Sequence, residues 1–124
     1  MASDDEQRWV DAYRAELVVM DSLSLSSGSG SREWNAHVNK MQRAQLELRK
    51  TPGGRAAITA MISDAVPTVA HWSAAHALFW SEPEVRAHLQ AIAGTGGLHA
   101  FEATTLLREF DAGRLRMDWE PTTP

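Results

Sequence analysis

Apolar residues recur at helical spacing along most of this chain. Val10, Tyr13, Leu17 and Met20 stand at i, i+3, i+7 and i+10, one stripe of a helix, with Asp11, Arg14 and Asp21 off the stripe. Ser3 followed by Glu6 has capping-box spacing, so this helix is expected to start near Asp4 and fade near Ser22. Residues 22–31 contain only Ser, Leu and Gly, a composition that favours a flexible linker. On this reading residues 1–21 form an arm tied loosely to the remainder.

Five further helices are expected. Ser31 can cap a second over residues 32–49, with Trp34, Val38, Met41 and Leu48 on its buried side. Thr51 and Pro52 read as an N-cap and the first helical position of a third, which runs through Ile58, Met61 and Ile62 to about Asp64, with Gly53 and Gly54 weakening its first turn. Pro67 opens a fourth, reaching about Trp80. Its residues Val69, Trp72, Ala74, Ala75, Leu78, Phe79 and Trp80 leave almost no polar side, which predicts a central position. Ser81 and Glu84 form another capping box, and the fifth helix buries Val85, Leu89 and Ile92. The run Gly94-Thr95-Gly96-Gly97 stops it. The sixth turns Ala103, Leu106, Leu107 and Phe110 inward and stops at Gly113. Beyond it Leu115, Met117 and Trp119 alternate with Arg114, Arg116 and Asp118, as in an extended tail laid on the bundle. The fold class is therefore all-α, about six helices, with a core over residues 32–115 and a tail over 116–124. Connections of a few residues make neighbouring helices antiparallel, and helices this short suit stacked hairpins better than a long bundle.

Composition narrows the function classes. The chain has 124 residues, one domain's worth, and no cysteine, which excludes disulfides, a thiol nucleophile and thiolate metal sites. The net charge is −4, so a non-specific nucleic-acid binder is not expected. Residues 63–124 carry only Arg86, Arg108, Arg114 and Arg116 against eight carboxylates, and this half holds the whole excess. The sequence opens acidic and has no apolar run long enough to span a bilayer, so a cytoplasmic protein with no membrane partner is expected.

Candidate chemistry is sparse. His71 and His76 are five apart, where a helical zinc pair needs four, so they read as packing or hydrogen-bonded residues and no metal site is assigned. There is no Gly-x-Ser-x-Gly elbow, and the Gly94–Gly97 run lacks the Lys-Ser/Thr of a phosphate loop, so no catalytic residue and no cofactor is assigned. The carboxylates of Glu109 and Asp111 sit near the end of the sixth helix, where the helix dipole disfavours them, a hint of a role other than stability. Trp119 suits an interface anchor. Two alternatives stay open: a small-molecule regulator or enzyme with a site around His71, His76 and Trp72, and a self-assembling structural domain.

The segments Val66-Pro67-Thr68-Val69, Ala74-Ala75-His76-Ala77-Leu78 and Pro83-x-Val85-Arg86-x-x-Leu89-x-x-Ile92-Ala93 resemble HEAT-like helical repeats. With Trp34-Asn35-x-x-Val38-Asn39-Lys40-Met41, Leu46-x-Leu48-Arg49 and the later Ala100, Ala103, Leu106, Leu107 and Gly113, residues 32–115 are similar to a small bacterial HEAT-like family of unknown function. Ala70 stands where such repeats usually carry Arg, so no inter-repeat Arg–Asp bond is carried over. Relatives of this kind occur as immunity proteins beside secreted toxins. The resemblance implies a protein-binding module, not an enzyme, that occludes a basic toxin domain with an acidic surface. If the third and fifth helices line its concave face, the outward positions Arg55, Thr59, Glu84 and His88, joined by Glu109, Asp111 and Trp119, are the expected contacts.

Overall fold

A computed structural model describes residues 4–24 and 31–121. Six α-helices follow one another: α1 (Asp4–Ser24), α2 (Ser31–Leu48), α3 (Pro52–Ala60), α4 (Pro67–Ala77), α5 (Glu82–Ala93) and α6 (Leu98–Asp111). One 3-10 turn, Met61–Ser63, separates α3 from α4, and no strand occurs among the described residues. The chain is all-α, as its periodicity predicts.

Helix ends follow local chemistry. The Thr51 hydroxyl accepts from the Gly54 amide at 3.0 Å and donates to Glu6 of α1 at 2.9 Å, so one side chain caps α3 and ties it to the first helix. Gly54 is more than a weak helix former there. A Cβ at this position would lie 2.0 Å from the Leu48 carbonyl oxygen, so only glycine lets α3 start against the end of α2. The stop after α6 is a Schellman motif: Gly113 has φ +73°, its amide bonds the Phe110 carbonyl at 3.1 Å, and the Arg114 amide bonds the Glu109 carbonyl at 3.0 Å. Several ends differ from expectation: α3 gives way to the 3-10 turn after Ala60 rather than running to Asp64. The fourth helix ends at Ala77, because residues 78–80 tighten into a turn that lays the Trp80 indole on α3, donating to the Arg55 carbonyl and the Thr59 hydroxyl. Ser81 makes no side-chain cap for α5; its hydroxyl instead lies 3.3 Å from that of Thr59.

The helices pair as three antiparallel hairpins. Glu16 meets His37 across α1 and α2, and Trp9 lies with Leu46 and Glu47. Trp80, just past the end of α4, meets Arg55 near the start of α3, and Arg86 meets Asp111 across α5 and α6. Helix α4 lies at the centre, touching α1, α3 and α5, with Val69, Ser73, Ala74, Ala75, His76 and Ala77 buried.

The expected loose arm is corrected here. Tyr13, Leu17 and Met20 of α1 are wholly buried in the same core as Met41, Ile58, Val69 and Leu78. Their stripe packs on α2 and α4, and Arg14 pairs with both oxygens of Asp64 at 2.9 and 3.0 Å, so α1 belongs to the core the sequence places at 32–115. Helix α1 also continues through Ser24; positions 25–30 of the expected linker, and Ser3 of the expected cap, lie outside the described residues.

The tail behaves as its alternation predicts. Leu115, Met117 and Trp119 are half-buried while Arg114, Arg116 and Asp118 are exposed. What fastens it is polar. The Met117 carbonyl accepts from Gln42, Gln45 and Arg49 of α2 at 3.0, 2.9 and 3.2 Å, and the Trp119 carbonyl accepts from Gln42 at 2.7 Å. Gln42 and Gln45 are wholly buried, and these bonds meet the cost of burying their amides.

Candidate functional site

Helix α6 runs beside α4 in the same direction. Glu102 stands at the level of His71, and Phe110 meets Phe79 edge-on with ring centroids 5.4 Å apart. Above that contact the two helices leave a crevice, because the wall of α4 facing it is built of small residues, Ala70, Ala74 and Ala75. Three adjoining cavities share His71 and Glu102. One, of about 320 Å³, reaches to His88, Leu89 and Ile92 of α5. A second, of about 340 Å³, is walled by Trp72, Phe101, Leu106 and the tail residues Leu115 and Met117. The third opens toward Asp21 of α1 and Trp34 of α2. Volumes of this order suit a small molecule or a few side chains of a partner.

The charges in the crevice are of one sign. Asp21, Asp64, Glu102 and Glu109 line it, and among the described residues no Lys or Arg does. Arg14 holds the Asp64 carboxyl below its ordinary range, and Arg114 does the same for Glu109. Glu102 pairs with His99 at 3.3 Å. Burial lowers the His71 pKa, with the Glu102 charge opposing and His99 adding, so His71 stands neutral at pH 7. On the rim, Leu98 and Phe101 are 70% and 66% exposed, one turn apart at the start of α6. No group of three His, Asp or Glu side chains among the described residues could hold a metal ion.

The structure scatters the contacts expected from sequence. His88 and Glu109 do line the crevice, from α5 and α6. Glu84 is exposed in the first turn of α5. Arg55 donates to the Arg49 carbonyl at 2.8 Å and belongs to the joint between α2 and α3. Thr59 is not outward: it is 8% exposed beneath Trp80. Asp111 is pinned at 2.6 Å by Arg86 of α5, and Glu109 at 2.6 Å by Arg114, so their place near a helix C-terminus is accounted for by ion pairs. Trp119 is half-buried against α2.

The constellation of His71, His76 and Trp72 does not assemble. His71 and Trp72 face the crevice, but His76 is wholly buried and shares a 2.6 Å hydrogen bond with Tyr13 of α1. Desolvation, reinforced by the nearby Arg49 charge, pushes the His76 pKa down to about 3. Sequence reasoning missed the rim. The inward stripe of α6 leaves Leu98 and Phe101 unexplained, and that was the available signal. No family model, curated protein or solved structure matches the chain. No helix among the described residues is long and apolar enough to cross a membrane.

Proposed function

We propose that this protein is a non-catalytic module that binds another protein, and that the crevice between α4 and α6 receives the partner. The observation that carries this reading is the rim: two large apolar side chains, Leu98 and Phe101, stand in water beside a cavity with apolar walls. Exposed apolar groups clustered at a groove are the usual mark of an interaction site. The carboxylates in the lining favour a partner with a basic surface and would speed its approach. An immunity protein that covers a basic toxin domain fits these properties.

The test uses the purified product of the gene adjacent to this protein's own. Wild-type protein should bind it, and the double variant Leu98→Asp/Phe101→Asp should bind about 30-fold more weakly at unchanged circular dichroism. Lack of binding by wild type, or equal binding by the double variant, would overturn the proposal. A second reading, a small-molecule regulator, is favoured by the convergence of His71, His99 and Glu102 in one cavity of about 320 Å³.

A further inference from the structure

The cavity that the tail helps to wall differs from its neighbours. Trp72 and Ala75 of α4, Phe101 and Leu106 of α6, and Leu115 and Met117 of the tail surround about 340 Å³ with mostly apolar surface. The tail side is fixed in place, because the Met117 carbonyl accepts from Gln42, Gln45 and Arg49 at 3.0, 2.9 and 3.2 Å. A space held open in this way can take a small ligand without first ordering its own wall.

Thr105 of α6 lines the same space. Its hydroxyl is buried and has no hydrogen-bond partner among the described residues. A helix offers a hydroxyl the carbonyl four residues earlier, and the adjacent Thr104 uses it, donating to Ala100 at 2.9 Å. Thr105 does not. An unpaired buried hydroxyl is destabilising, so a wall that carries one is suited to a ligand that supplies the missing partner. His71, on the same wall and neutral at pH 7, adds one donor and one acceptor.

The carboxylates of the wall already have partners. Glu109 holds Arg114 with both oxygens at 2.6 and 3.2 Å, and Glu102 pairs with His99 at 3.3 Å. Among the described residues no Lys or Arg lines the cavity. An anion would approach two carboxylates with no cation there to receive it. A cation would lose hydration against apolar walls and compete with Arg114 and His99 for acceptors already in use. An uncharged ligand meets neither cost.

We infer that this cavity binds an uncharged small molecule with an apolar body and one hydroxyl group, such as a phenol, whose hydroxyl bonds Thr105. The volume sets the size. An apolar cavity of about 150 Å³ accommodates benzene, so this one has room for a substituted ring. The site goes beyond the protein-binding reading and does not depend on it.

The probe is p-cresol, with benzylammonium and benzoate as charged counterparts of similar size, each titrated into the full chain at pH 7 and constant ionic strength. The readout is the Met methyl and Trp indole N–H resonances, with Met117 and Trp72 assigned from Met117→Leu and Trp72→Phe variants. p-Cresol should shift the Met117 and Trp72 signals saturably, with a dissociation constant on the order of 1 mM for a ligand of so few atoms. Both ions should bind at least about tenfold more weakly. Thr105→Val keeps the shape and removes the hydroxyl, so it should weaken p-cresol by about fivefold without lowering the stability of the free protein in urea. Leu98→Asp alters the rim outside this cavity. It should leave p-cresol binding unchanged while weakening any partner, which separates failure of this inference from failure of the protein-binding reading. Equal binding of either ion, no saturation, or shifts spread over the other Met and Trp signals would overturn the site. So would p-cresol binding that ignores Thr105→Val, or a Thr105→Val chain of clearly lower stability.

Discussion

His76 and Tyr13 show how much a single buried contact determines. Both are wholly buried, and their 2.6 Å hydrogen bond joins α1 to the centre of α4. The imidazole is neutral in the fold, with a pKa near 3 against 6.5 when exposed. Below pH 6.5 the unfolded chain takes up a proton at His76 that the folded chain refuses. The contribution is therefore fully present above pH 6.5 and is lost as pH falls toward 3, at about 1.4 kcal/mol per pH unit. The His76 ring resonances should stay at their neutral positions down to pH 5; a midpoint near 6.5 would contradict the burial argument. Tyr13→Phe leaves the Nδ1 of His76 without its partner and should cost about 1–3 kcal/mol in urea unfolding at pH 7. Sequence placed His76 among packing or hydrogen-bonded residues, but its partner stands 63 positions away and no local pattern connects the two.

At the scale of elements, local signals account for most boundaries. Pro52 and Pro67 open helices, Thr51 caps one, and Gly113 ends another, because each acts through the backbone within a few residues. The signal for residues 22–31 misled about α1. A Ser/Gly composition describes how a connection behaves, not whether the helix before it docks. Leu17→Ala is the measure of that docking. With Leu17 wholly buried, the loss should be about 2–5 kcal/mol, whereas a loosely tied arm would lose almost nothing. Gln42 and Gln45 are the counterpart on α2. These polar residues face inward because the tail brings two carbonyl oxygens to them.

For the whole molecule, charge and shape meet in the crevice between α4 and α6. Among the described residues four carboxylates and no Lys or Arg line it, and the exposed Leu98 and Phe101 stand at its edge. Binding of a basic partner there should be steered electrostatically. Raising salt from about 50 to 500 mM should slow association by about tenfold and leave dissociation nearly unchanged. A salt-independent association rate would remove the charge argument and leave only the apolar one.

The amino-acid order by itself determined which stretches are helical, where most helices start and stop, which apolar stripe of most helices turns inward and that residues 114–119 alternate. These follow from backbone geometry and the 3.6- and 2-residue periods, which act over a few residues. Only the tertiary structure decided that α1 completes the core, that two glutamines hold the tail and that α4 and α6 leave a crevice between them. Those outcomes depend on helices distant in sequence sharing one packed volume. Whether a gap remains between them is set by the sizes of Ala70, Ala74 and Ala75 against the residues opposite, which no single helix records.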